Sequence, residues 1–314
     1  MMNSDIKARI HQKLLRELGS TIISALNDPQ IVEIMLNSDG NIWVDFFDNG
    51  MSVIGHMPPP QSESMMATIA TSLHTTITRD NPILEGELPI DGSRFEGLIP
   101  PVVPNPVFAI RKKASKVFTL DDYVSSKIMN ESQRKTIQRA VSDKKNILVV
   151  GGTGSGKTTL TNGIIDQIVK THPQDRLIVI EDTSEIQCTA KNKVILRTSD
   201  KVTMKQHLRA TLRLRPDRIL VGEVRGGEAL DLLKAWNTGH PGGIATIHAN
   251  TASAGLIRLE QLIGEVTTSP MQTLIAEAVD LVIFIKKTCS GRRVEEIISV
   301  HGYDSGCYGV IHLK

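Results

Sequence analysis

Residues Gly151-Gly152-Thr153-Gly154-Ser155-Gly156-Lys157-Thr158 follow directly on the apolar run Ile147-Leu148-Val149-Val150. This is G-x-x-x-x-G-K-[ST], placed where a strand ends and a helix begins. It asks for a buried strand, a tight turn and a helix in that order. The glycines let the backbone close around phosphate oxygens with its N–H groups pointing inward. The helix that starts there, with Thr159 opening a helical pattern up to Val169, turns its positive dipole end to the anion. Lys157 would reach the β- and γ-phosphates, and the Thr158 hydroxyl would ligate Mg²⁺. A chance match in a glycine-rich turn is the alternative; the strand before and the helix after argue against it. The loop alone does not separate a switch from a kinase, a helicase or a motor.

A chain of 314 residues suggests two domains at about 150 residues each. Hydrophobic residues at 40% supply a core, and a net charge of +2 favours no partner by itself. Cys188, Cys289 and Cys307 show no C-x-x-C spacing, so neither a zinc site nor a disulfide framework is indicated, and a reducing cytosol fits best. The N-terminal stretch has no uninterrupted apolar segment of the kind a secretory leader carries. No run approaches the ~20 apolar residues that cross a bilayer. A cytoplasmic protein, at most peripheral to the membrane, is expected.

Ile6, Ile10, Leu14 and Leu18 recur every four residues with basic residues between them, which predicts a helix over 5–26. It either packs on its own domain or lies on an anionic membrane surface. Ile31–Leu36, Asn41–Phe47 and Met51–Ile54 read as short strands, with Asp48-Asn49-Gly50 as a hairpin turn. Pro58-Pro59-Pro60 ends this meander, and a helix follows over Ser62–Ile77. Residues 81–106, rich in Pro and Gly, predict loops and edge strands, and Val107–Ile110 another strand. This describes an α+β domain over residues 1–112, then a linker over 113–129 in which Thr119 is a helix cap. From 130 to 314 helical stretches alternate with the apolar runs Ile147–Val150, Leu177–Ile180, Val194–Leu196, Ile219–Val221, Ile244–Ile247 and Leu281–Ile285. Continuous apolar runs are what parallel strands look like when helices cover both faces.

Phosphoryl chemistry also needs a metal, a group that positions water, and positive charge. Ligands of open parallel sheets bind beyond the carboxyl ends of strands, so strand-end residues are the candidates. Glu181 or Asp182, after Ile178-Val179-Ile180, could face a γ-phosphate or simply cap the next element. Glu223, after Arg218-Ile219-Leu220-Val221-Gly222, takes the acidic place of a Walker B segment. It would hold Mg²⁺ or polarise water, or else be an ordinary strand-end carboxylate. His248 ends the run Ile244–Ile247 and is placed like the two glutamates; His240, nearby, reads as easily as structural. Arg209, Arg213, Arg215 and Arg218 precede Glu223, and Arg209 and Arg213 share a helix face. They make either a solvated face or an arginine finger. Residues 111–145 hold ten Lys or Arg against four Asp or Glu. Nucleic-acid binding is open but not indicated, because only Phe118 and Tyr123 offer stacking surface there.

In this order the motifs resemble those of the type II and type IV secretion traffic ATPases, a family that includes the pilus motors. Its Walker A loop, Asp box, atypical Walker B and His box correspond to Gly151–Thr158, Ile178–Glu185, Ile219–Arg225 and Gly239–Asn250. Asp91-Gly92-Ser93-Arg94, Pro100-Pro101 and Ile110-Arg111-Lys112 look like its N-terminal domain. Within the family the chain is most similar to the conjugal-transfer and type IV secretion branch. It has no four-cysteine module, and Val224-Arg225-Gly226-Gly227-Glu228 departs from the pilus-retraction pattern. The resemblance implies a RecA-like P-loop NTPase domain behind a smaller α+β domain, ATP and Mg²⁺ as ligands, and a homohexamer. Nucleotide would lie between the domains, with Arg94 or Arg111 adding charge to the γ-phosphate. It also implies inner-membrane components of a secretion or conjugation machine as partners. A nucleic-acid translocase or helicase, a pilus assembly or retraction ATPase, and a non-catalytic nucleotide-gated scaffold are the other readings.

Overall fold

The protein is described by a computed structural model covering residues 4–46, 50–113, 117–199, 201–288 and 291–313. It divides into two compact units, Met1–Ser115 and Lys116–Lys314.

The first unit opens with helix α1 (Ser4–Asn27), whose Leu14, Leu18 and Ile22 are buried in the unit's own core. Of the predicted stripe, Leu14 and Leu18 pack inward and Ile10 is half-buried, while the Ile6 side chain lies outside the described residues. Gly19 interrupts the helix at φ 72°, ψ 169°. The Gln61 side chain donates to the Glu17 carbonyl beside the break (2.7 Å). Strands β1 (Ile31–Leu36), β2 (Asn41–Phe46) and β3 (Gly50–His56) form the meander. Asp48 and Asn49 of the predicted turn lie outside the described residues; Gly50 on its far side has φ 73°. Helix α2 (Pro59–Ser72) begins and ends earlier than the predicted 62–77. Two prolines fit its first turn, where their missing N–H groups cost nothing. Thr75 N–H bonds back to the Ala70 carbonyl, and His74 turns to φ 57°. Strands β4 (Ile83–Glu87), β5 (Arg94–Leu98) and β6 (Val107–Arg111) complete a sheet ordered β3-β2-β1-β6-β5-β4. Of the expected edge strands only β4 is one. Strand β5 is internal, because Phe95 is fully buried and packs on Phe108 with ring centroids 5.8 Å apart.

Within 113–129, expected to be a linker, residues 114–116 lie outside the described set. Helix α3 (Leu120–Ser125) is capped by Thr119, whose hydroxyl accepts from Asp122 N–H. Leu120, Tyr123 and Met129 are buried in the core of the second unit. Helix α4 (Glu131–Ser142) follows, then β7 (Ile147–Val150), α5 (Lys157–Thr171), β8 (Leu177–Glu181), β9 (Lys193–Arg197), α6 (Met204–Thr211), β10 (Arg218–Val221), α7 (Glu228–Asn237), β11 (Ile244–Ile247), α8 (Ala252–Gly264), α9 (Gln272–Ala278) and the antiparallel β12 (Leu281–Thr288), β13 (Gly291–Asp304) and β14 (Cys307–Leu313). The sheet order is β14-β13-β12-β7-β11-β10-β8-β9, parallel from β12 to β9. Alternate residues of β7 and β8 enter two separate cores: Leu148, Val150, Ile178 and Ile180 on one face, Ile147, Val149, Leu177 and Val179 on the other. Strand β9 corrects the expectation of a buried run, since it forms the sheet edge and Ile195 stays 40% exposed. Strands β13 and β14 escape sequence reading, because polar residues such as Glu295, His301 and His312 break up the apolar signal.

Arg218, from the arginine group, is fully buried at the start of β10. It donates to Asp175 (2.7 Å) and to the carbonyls of Gly242 (3.1 Å) and Val141 (3.3 Å). Lys144 also donates to Asp175 (3.2 Å). Burial would raise the Asp175 carboxyl, but the Arg218 and Lys144 hydrogen bonds outweigh it and hold the group below its ordinary range. A depressed carboxyl stabilises the fold above its unfolded pKa, and that contribution is lost as pH falls through the folded value. Asp175→Asn should therefore cost about 3 kcal/mol near pH 7, since it strands a buried cation. In denaturant titrations the gap to wild type should narrow below about pH 4.

Candidate active site

Strand β7 delivers the phosphate loop. Gly154 and Gly156 adopt φ 68° and 97°, where side chains are strained. Gly151 is pressed so close to the Ile285 carbonyl that a Cβ would stand 2.4 Å from it. Helix α5 starts at Lys157 and aims its first amides into the loop. The Lys157 amine lies 3.1 Å from the carbonyls of both Gly151 and Gly152, and within 3.3 Å of the His248 ring. Gly152, Thr153 and Thr159 remain open to solvent in part, whereas Ser155 is buried.

The carboxyl ends of β8, β10 and β11 stand beside β7 in the same sheet. The Glu223 carboxylate is hydrogen-bonded at one oxygen, and the other, buried without a hydrogen-bond partner among the described residues, stands against the His248 ring. The first accepts from Arg225 Nε (2.9 Å) and Nη2 (2.6 Å), and the second lies 2.6 Å from His248 Nε2. The Thr246 hydroxyl donates to the Gly222 carbonyl (2.6 Å), and Val224 N–H to the Thr246 carbonyl (2.9 Å). These two bonds tie the ends of β10 and β11 together. Lys157, His248, Glu223 and Arg225 thus form one continuous polar chain, and Arg225 reaches on to Asp182 at 3.6 Å.

Glu181 does a different job. It is 2% exposed, and its Oε2 accepts from the backbone N–H groups of Glu185 (3.0 Å) and Ile186 (2.9 Å). This is the capping alternative raised from sequence. It folds the segment back so that Glu185, the last residue of the Asp box, to which the sequence gave no role of its own, accepts from the Thr158 hydroxyl at 2.9 Å. Asn162 of α5 locks that segment, donating to the Glu185 carbonyl (3.1 Å) and accepting from Gln187 N–H (2.9 Å). Nothing in the spacing singled out Glu185 or Asn162, since their roles arise only when α5 and the β8 loop meet. The Thr158 hydroxyl and the Glu185 carboxylate are hard oxygen donors of the kind Mg²⁺ takes one or two at a time, beside phosphate and water. Among the described residues no group of three His, Cys, Asp or Glu could cage a metal by itself.

His240 and Arg209, in the second unit, have other partners. His240 meets the Ala235 carbonyl (3.2 Å) at the end of α7. Arg209, largely exposed on α6, lies 3.5 Å from Asp231 of α7. In the first unit Arg94 and Arg111 are direct cross-strand neighbours, flanked in register by Glu87 and Glu33. The basic 111–145 segment is partly neutralised. Arg134 pairs with Asp121 and Glu131, Lys144 with Asp175, and Lys145 with Asp280.

Residues 16–310 match the family described as type II/IV secretion system protein. The chain is 51% identical over 302 residues to the probable conjugal transfer protein TrbB of Sinorhizobium fredii, covering 96% of this chain and 93% of that protein. It resembles the crystal structure of the VirB11 ATPase from the Brucella suis type IV secretion system, with TM-score 0.51 and 26% identity over 94% of this chain and 97% of the other. The fold is also that of the pilus retraction motor PilT, with TM-score 0.65 and 21% identity over 93% of this chain and 82% of the other. The chain belongs to the type II/IV secretion system protein family.

The two acids of the β8 loop should separate experimentally. Glu181→Ala leaves the buried Ile186 N–H without its acceptor, while the Glu185 N–H keeps the Thr183 carbonyl, and should cost about 2 kcal/mol. Glu185→Ala should stay within about 0.5 kcal/mol of wild type. Chemical denaturation of both variants checks this.

Proposed function

We propose that this member of the type II/IV secretion system protein family is a Mg²⁺-dependent ATPase that energises a conjugative-transfer or type IV secretion apparatus. It acts as a homohexameric ring held peripherally at the cytoplasmic side of the inner membrane. Among the described residues no helix is long and apolar enough to cross a membrane, which accords with a peripheral role. The observation that carries the reading is the contact of Lys157 with His248 and of His248 with Glu223 beside the phosphate loop. A loop that only bound nucleotide would not need a histidine bridging its lysine to a strand-end carboxylate.

The loop amides and the Lys157 ammonium take the β- and γ-phosphate oxygens. A Mg²⁺ held by Thr158, with Glu185 or Glu223 close by, would neutralise charge that develops on those oxygens. Glu223 is the group that orients and deprotonates the attacking water; Arg225 fixes one of its oxygens and His248 stands against the other. Glu181 supports this by anchoring the Glu185 segment. His248 touches Lys157 on one side and Glu223 on the other, so a change at the γ-phosphate is felt at both. Arg94 and Arg111 would add positive charge from the first unit, and Arg209 from a neighbouring subunit. The loss of that anion on hydrolysis would release one unit to turn against the other, which is the motion passed to the membrane components.

Lys157→Ala should abolish ATP turnover without a change in melting temperature. Wild-type turnover in that variant would refute the assignment. Glu223→Gln should keep nucleotide affinity and lose about 10²- to 10⁴-fold in kcat. A loss of affinity instead would make Glu223 a structural prop of the site.

A further inference from the structure

Just beyond Glu223 the chain turns through two successive positions that carry no side chain, Gly226 and Gly227. Their backbone does not ask for glycine. Gly227 lies at φ −62°, ψ −10°, which any residue adopts, and Gly226 is outside the positive-φ region. What excludes a side chain is a neighbour. A Cβ at Gly227 would stand 2.2 Å from Val266 Cγ1, 3.0 Å from its Cγ2 and 3.2 Å from its Cβ. A Cβ at Gly226 would stand 3.0 Å from a Glu228 carboxylate oxygen and 3.3 Å from one of Glu265. Glycine here serves close approach: the two residues that follow α8 are seated directly on the turn.

The turn is also tied to α7. The Glu228 carboxylate accepts from the N–H groups of Arg225 (2.8 Å) and Gly226 (2.9 Å). The Gly226 and Gly227 carbonyls accept from the N–H groups of Ala229 (3.1 Å) and Leu230 (3.2 Å). The start of α7 and the end of α8 therefore hold it together. From this turn Arg225 extends to Glu223 and faces Asp182. Helix α8 begins at Ala252, just past His248. One helix thus spans from the imidazole at Glu223 to the turn that carries Arg225. Val266 itself is 49% exposed; it is no core residue, and the part of it that is covered includes the face on Gly227.

We propose that Val266 is a positioning residue of the ATPase: it braces the Gly226-Gly227 turn and so fixes the direction from which Arg225 reaches Glu223. The proposal rests on the ATPase reading and extends it to a side chain outside the polar chain of the site. Hydrogen bonds from a guanidinium fork are directional, so a shift of the turn is passed to the carboxylate. Misplacing a catalytic group by ~1 Å costs on the order of 10²-fold in rate, and the smaller shift expected from losing one brace should cost about tenfold.

The test measures kcat and ADP affinity on the full chain. Val266→Ala should lower kcat about tenfold and leave ADP affinity within about twofold, with the melting temperature close to wild type because the residue is half exposed. Val266→Thr keeps the branched shape and should retain kcat within about twofold. Gly227→Ala puts a methyl where Val266 sits and should also lower kcat, whereas Gly227→Ala combined with Val266→Ala should recover most of the loss. In an Arg225→Ala background Val266→Ala should cause no further loss, since the brace acts through that guanidinium. Wild-type kcat in Val266→Ala, an equal loss in Val266→Thr, or a tenfold loss that persists without Arg225 would overturn the brace. Absence of ATP turnover in the wild-type protein would remove the ATPase reading, and the brace with it.

Discussion

A parallel strand covered on both faces has one place left to present chemistry, its carboxyl end. In the second unit β7, β8, β10 and β11 are sandwiched between two apolar cores, so their interior positions are fully committed to packing. Everything polar that matters sits in the first residues beyond them: the phosphate loop after Val150, Glu181 at the end of β8, Glu223 two residues past β10, and His248 one residue past β11. Because the strands run parallel and lie side by side, these residues meet without any long-range loop having to bring them there. At the opposite end, Arg218 and Asp175 anchor the other ends of the strands through charge-assisted hydrogen bonds.

Four carboxylates occupy this small region, and their surroundings assign them different work. Glu181 accepts two backbone N–H groups and serves as an anchor. Glu185 is carried by that anchored segment to the Thr158 hydroxyl. Glu223 is oriented by a guanidinium on one oxygen and stands against an imidazole with the other. Asp182 stays outermost, accepting from the Thr198 hydroxyl and facing Arg225. A single substitution there does not act on one residue alone, since Lys157, His248, Glu223 and Arg225 share one polar chain.

Much of the architecture was legible because burial on both faces writes an unmistakable pattern. The runs Ile147–Val150, Ile219–Val221 and Ile244–Ile247 coincide with β7, β10 and β11 to within one residue. The Thr119 cap and the Leu14 and Leu18 positions of the predicted stripe likewise carry local signals that the structure uses. Strands β13 and β14 were not legible. Their register is antiparallel and their outer positions face solvent, so charged residues interrupt the pattern that marks a buried strand. Segment 113–129 misled for the opposite reason. It reads as a connector, yet Leu120 and Tyr123 join a core whose other members lie far along the chain in α4, β7 and α5, which no local window contains.

By itself the sequence determined which residues stand at strand ends, because each motif follows its own apolar run and the backbone can only place it there. Only the tertiary structure decided who faces whom. The strand order β12-β7-β11-β10-β8 is not the order of the chain; it is set by packing of helices on both faces. That order is what puts His248 between Lys157 and Glu223, gives Glu185 to Thr158 rather than Glu181, and sets Ile285 of β12 beside the phosphate loop at Gly156.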